Sequence, residues 1–130
     1  MISRMSARCL LAALCAAAAP LVAGSAPASA QAAFNGTWSV LIMTDKGPCD
    51  RAYRYPVRVA NGRVSYAGQA DFDVAGQVGR NGAVRVTVSR GQQRAAGSGR
   101  LFARSGSGTW RGSGDSACSG SWTAEKRGEG

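Results

Sequence analysis

The chain has 130 residues, with 16 Lys+Arg against 7 Asp+Glu for a formal charge of +9, 4 Cys, 18 Gly, 4 Pro and no His. That length suits one domain, and 18% charged residues argue against wholesale disorder. Without imidazole there is no Ser-His-Asp triad, no Cys-His pair, no His-ligated zinc or haem, and no side chain that titrates near neutrality unperturbed.

Arg4 and Arg8 make a basic start, Leu10 to Ala23 is an apolar run broken only by Pro20, and Ala28-Ser29-Ala30 puts small residues where a signal peptidase reads. A leader over residues 1–30, cleaved after Ala30, is therefore expected, and with it a periplasmic or secreted protein. The run of 14 residues falls short of the ~20 that cross a bilayer as a helix, so no transmembrane segment is expected after cleavage. Leu14 is too bulky to precede a lipidated Cys15. Loss of Arg4 and Arg8 takes the basic count from 16 to 14 against the same 7 acidic groups, a charge of +7. Cys9 and Cys15 leave as well, so Cys49 and Cys118 remain, and an even pair in an exported chain reads as a disulfide. Closing the loop of ~70 residues between them constrains the unfolded chain by about 4 kcal/mol.

Residues 31–130 read as a single all-β domain of short strands, because period-two alternation recurs between Gly- and Asn-rich breaks. The first run, Thr37 to Thr44, has Trp38, Val40 and Ile42 on one face. The second, Ala52 to Val59, alternates Tyr53, Tyr55, Val57 and Val59 with Arg54, Pro56 and Arg58. Asn61-Gly62, the preferred pair for a two-residue type I′ hairpin, leads into Val64 to Ala67. Asp71 to Val78 follows, with Phe72, Val74 and Val78 inward, and Asn81-Gly82 turns it into Val84 to Ser89. After a polar break at Arg90 to Gln93, Ala95, Gly97, Gly99 and Leu101 share the face of a sixth strand. Ser107 to Gly112 and Cys118 to Glu125 complete eight, centred on Trp110 and Trp122. Short connections favour a single antiparallel meander. Pairing first strand with last would remove both edges and give a small closed or nearly closed up-and-down barrel, with Cys49 and Cys118 near the seam.

One pattern recurs: Gly36-Thr37-Trp38, Gly108-Thr109-Trp110 and Gly120-Ser121-Trp122 are each Gly, hydroxyl, Trp. Within a strand the Gly and the Trp share a face, which leaves each indole a vacant neighbour to lie over. The inner face so assembled combines Trp38, Tyr53, Tyr55, Tyr66, Phe72, Trp110 and Trp122 with a floor of Ala95, Gly97, Gly99, Gly108 and Gly120. Two readings stay open: large rings filling the space small residues leave, or an aromatic pocket at a barrel mouth for a flat or apolar ligand.

A Gly-x-Trp on the first strand of an eight-stranded barrel resembles the lipocalins and avidins, and also the small exported inhibitors of bacterial metalloproteases. The match rests on Gly36 to Trp38 and the strand count. This chain is shorter than a lipocalin, the inhibitors join cysteines close in sequence, and Gln31 to Asn35 offers no counterpart to their blocking segment. From Phe34 to about Lys126 the chain is similar to uncharacterised small exported proteins of alphaproteobacteria. That similarity runs through Phe34-Asn35-Gly36-Thr37-Trp38, Asp45-Lys46-Gly47-Pro48-Cys49-Asp50 and Gly106-Ser107-Gly108-Thr109-Trp110-Arg111-Gly112. Some of those proteins carry labels of haem utilisation or adhesion; without His an axial ligand would have to be Tyr or Met, and no spacing nominates one.

Arginine supplies 12 of the 14 basic side chains left after cleavage. Arg54, Arg58, Arg63 and Arg85 take the outward parity, with Arg80, Arg90 and Arg104 in turns, and guanidinium forks suit phosphate and carboxylate groups. For an exported protein the matching partners are anionic lipid, lipopolysaccharide or acidic glycan, and no motif points to nucleic acid. Gly114-Asp115-Ser116 resembles a serine-protease nucleophile segment, but Ala117-Cys118 follows and no base exists. Asp71 and Asp73 could suggest paired-carboxylate chemistry, yet beside Arg63 and Arg85 they are expected to form cross-strand ion pairs. The chain therefore reads as an exported, non-enzymatic binding module without metal or cofactor, its Arg face meeting an anionic envelope component. Inhibition of a secreted or periplasmic protease, and carriage of a small hydrophobic ligand in a Trp-lined mouth, are the alternatives.

Overall fold

The computed structural model describes residues 32–114 and 117–129. The expected leader and its cleavage point, and Asp115 and Ser116 of the protease-like segment, lie outside the described residues. Eight strands follow in order: β1 Gly36–Lys46, β2 Ala52–Ala60, β3 Arg63–Tyr66, β4 Asp73–Val78, β5 Ala83–Arg90, β6 Gln93–Leu101, β7 Ser105–Ser113 and β8 Ser119–Glu129. Each pairs antiparallel with the next, and β8 returns to β1, so the meander closes into a barrel. Closure satisfies the backbone groups that two open edges would have left exposed.

Two of the turns show why the chain reverses where it does. Asn61 and Gly62 both take positive φ, 53° and 82°, as a type I′ turn requires. At Asn81-Gly82 only the glycine does so, with φ of 89°. There Gly82 N donates to the Gly79 carbonyl at 2.9 Å and Ala83 N donates to Asn81 Oδ1 at 3.0 Å, so this hairpin has a longer loop than the first. The polar stretch Arg90 to Gln93 is also a hairpin: Arg90 and Gln93 are register partners, and only Gly91 and Gln92 lie between them.

β4 begins at Asp73, two residues later than the alternation suggests. Residues 67–72 instead form a loop, in which the Ala70 N–H donates to the Tyr66 hydroxyl at 3.3 Å. Asp71 therefore sits in that loop and shares no strand face with Asp73. The ion pairs expected of these two carboxylates are also missing from those formed among the described residues. The register places Gln77, not an aspartate, between Arg63 and Arg85, and sets Asp73 opposite Ser89.

The barrel has a plugged end and an open one. At the plugged end Phe34, Val59, Val78 and Leu101 are buried together, above them Trp38 is fully buried, and the Asn61 N–H donates to Asn35 Oδ1 at 2.8 Å. Lys126 lies on the inward parity here with its side chain 5% exposed, its ammonium held 3.1 Å from Glu129 and 3.3 Å from the Ala33 carbonyl. At the open end a Cys49–Cys118 disulfide joins the β1–β2 and β7–β8 loops, its Cα atoms 6.2 Å apart. Cys118 immediately precedes β8 and is buried.

Candidate functional site

The rings do not fill the barrel. Above Trp38 lies a cavity of about 210 Å³ whose walls are aliphatic and aromatic side chains throughout, with Val and Ala filling the positions between the rings. It shares Ile42, Tyr53, Phe72, Val88, Ala95 and Trp110 with a vestibule of about 520 Å³ at the open end, so one leads into the other. The interior is thus closed at the plugged end, where Val59 and Leu101 floor the cavity beside Trp38, and hollow above them.

The tryptophans are apolar toward this space because each spends its one polar atom on the wall. The indole N–H groups donate to backbone carbonyls: Trp38 to Phe34 at 2.9 Å, Trp110 to Met43 at 3.0 Å and Trp122 to Ser98 at 3.2 Å. The register explains how two of them reach. Gly108 is the cross-strand partner of Trp122, and Gly120 that of Trp110, so the two Gly-hydroxyl-Trp segments pair reciprocally across β7 and β8. A Cβ on Gly108 or Gly99 would come within 2.7 Å of the Trp122 ring, so this indole lies flat across β7 and β6. The vacancy the Trp122 ring uses therefore belongs to the neighbouring strands and not to its own. A Cβ on Gly36 would strike the Gly128 carbonyl, and one on Gly120 the Met43 carbonyl that accepts from Trp110.

On the side of β2 to β4 the wall is a ring cluster. Tyr55 stacks on Phe72 with centroids 5.7 Å apart and planes 14° from parallel, while Tyr53 meets both rings at 5.8 Å. Tyr66, expected in the pocket, lies behind this layer and contacts Tyr55 edge-on at 6.2 Å and Phe72 at 5.4 Å. It supports the wall without lining the cavity. Burial, reinforced by Tyr53 and Tyr66, pushes the Tyr55 phenol up to about 12. The other predicted pocket residues, Trp38, Tyr53, Tyr55, Trp110 and Trp122, all line the cavity.

The four predicted anion-binding arginines divide into two pairs. Arg54 and Arg58 lie along β2, and Arg54 Nη1 donates to Ser39 Oγ at 3.0 Å. Arg63 and Arg85 flank Gln77 over a shallow outer groove floored by Ala75 and Ala96. Arg90 and Arg94, which alternation alone gives no special place, stand instead at the rim of the vestibule, and Arg90 Cζ lies 5.0 Å from the centroid of Phe72. The signal for them was the glycine of Gly91-Gln92, which allows a turn short enough to keep both arginines on strands. No family model matches the chain, and none of the curated proteins or solved structures matches it significantly.

Proposed function

We propose that this protein is an exported, non-catalytic carrier that holds a small apolar molecule inside its barrel. The observation that carries the reading is the apolar cavity above Trp38, open through the vestibule at one end. An enclosed apolar space of about 150 Å³ stays dry and accepts benzene, so about 210 Å³ suits two fused rings or a chain of about eight carbons. The lining carries no carboxylate, amine or thiol that could serve as nucleophile or base, which supports binding over chemistry. Export with loss of the leader after Ala30 belongs to the same proposal, and the disulfide is consistent with an oxidising compartment.

Titration of the mature protein with naphthalene and with linear alcohols, followed by tryptophan emission, tests this directly. Saturable change is expected, and it should vanish in Ala95→Leu, which fills the cavity at its open end. Failure of every probe, together with native mass spectra from the cell envelope showing no bound small molecule, would sink the carrier.

A second reading is favoured by the row Arg63, Gln77, Arg85, a basic strip without a carboxylate in register. It would let the outer face meet anionic lipid, lipopolysaccharide or acidic glycan. Salt-sensitive binding to anionic vesicles, reduced in an Arg63→Gln, Arg85→Gln double variant, checks it. Protease inhibition by edge-strand docking loses support from closure, which leaves no free sheet edge, and would have to proceed through a loop.

A further inference from the structure

We infer that the occupant of the barrel is an amphipathic anion, its apolar part in the cavity and a carboxylate-like head at the rim beside Arg90. This rests on the carrier reading and adds the chemical class of the ligand. Three features of the open end converge on it.

First, the cavity has a single polarity and the exit has another. Phe72 and Trp110 belong to both the apolar walls and the vestibule, whereas Arg90, Gln93 and Arg94 appear only in the latter. An apolar body fits the first and an anionic head the second. Second, the cation stands where the apolar wall ends. Arg90 lies over the face of Phe72, and Phe72 in turn stacks on Tyr55, so a ligand passing Phe72 arrives beside the guanidinium. Third, neither arginine is engaged by an ion pair among the described residues: the three pairs formed join Arg104, Lys126 and Arg127 to Glu125 and Glu129 at the other end of β8.

Arg90 continues the inward parity of Val86 and Val88, whereas Arg94 pairs with Ser89 on the outward parity, so Arg90 is the cation turned to the mouth and Arg94 adds its charge from the outer side of the rim. Asp50 lines the same vestibule from the β1–β2 loop. Its charge sets a polarity across the rim, repelling an anionic head from that loop and directing it to the β5–β6 hairpin. Asp73 faces outward opposite Ser89 and adds its charge outside the barrel. Guanidinium forks at the hairpin match a planar carboxylate better than a hydroxyl or an ammonium.

The test uses the mature protein and three probes with one tail: octanoate, octanol and octylammonium, each titrated at low salt. Octanoate should bind about fivefold or more tighter than octanol, and octylammonium weakest. In an Arg90→Gln, Arg94→Gln double variant octanoate should fall to the octanol value while octanol itself is unchanged. Arg100→Gln, on the outer face near the plugged end, should leave all three where they were. High salt should shrink the preference for octanoate without moving octanol. Equal affinity for octanoate and octanol, or equal loss of both in the double variant, overturns the inference and leaves the carrier standing. Failure of all three probes overturns both.

Discussion

Trp122 is a ring whose position is set by what its neighbours lack. Its indole crosses Gly108 and Gly99 to reach the Ser98 carbonyl, and a methyl at Gly108 would meet both the ring and that carbonyl. Gly108→Ala should therefore destabilise by about 1–3 kcal/mol through overpacking, seen as a lower denaturant midpoint. Gly128→Ala, where an added methyl meets nothing within 4 Å, should stay within about 0.5 kcal/mol of the parent. Tyr55 gives a second residue-scale test. A phenol raised from 10.0 to about 12 in the folded protein favours the protonated form, so its contribution is complete below about pH 10. That contribution fades as pH rises toward 12, and alkaline unfolding should be steeper in the parent than in Tyr55→Phe by on the order of 1–3 kcal/mol. The recurrence of Gly, hydroxyl and Trp is visible in the chain, yet its use is not. Same-strand spacing suggests that each ring lies over its own glycine, and only the β7–β8 register reveals the reciprocal arrangement.

Among the elements, hairpin chemistry was the most legible part. Asn61-Gly62 occupies the left-handed region at both positions, and Asn61→Ala should cost about 1–2 kcal/mol, because alanine tolerates that conformation poorly. Equilibrium unfolding measures it. All eight strands were readable because inward positions repeat every second residue. Their ends were not: β1 runs on through Asp45 and Lys46, and β8 to Glu129, because ladder bonds to a partner strand continue beyond the last apolar side chain. The reverse holds at β4: alternation extends back to Asp71, yet the strand starts at Asp73 because Phe72 joins the aromatic cluster from a loop. Arg90 and Arg94 were hidden for a related reason. A four-residue polar break conceals a two-residue turn, and turn length decides whether a side chain stands on a strand at the rim or in a solvated loop.

For the whole molecule the cavity is a collective outcome. Inward parity identifies the rings, but the space left among them depends on how β1 meets β8 and how far each indole tilts along the wall. No local pattern encodes that. The distribution of polarity is clear once closure is known: Ser, Thr, Gln and Arg face out and the apolar side chains face in, the reverse of a barrel that sits in lipid. Removing the Cys49–Cys118 link in a double serine variant should lower stability by about 4 kcal/mol, read by denaturant unfolding under matched conditions. It should also free the two loops at the mouth, so that a bound probe exchanges faster in the variant than in the oxidised parent.

The β1–β8 seam bears on how the chain is made as well as on its final shape. β1 has β2 on one side but finds its other neighbour only in β8, the last of the barrel's eight strands in chain order. A chain crossing a membrane N-terminus first therefore cannot complete the sheet while any of β8 is still behind. Until then Trp38 has only part of its surroundings, and Cys49 has no Cys118 to meet. Such late, long-range pairing delays folding, and in the export proposed above it would keep the polypeptide threadable during its passage.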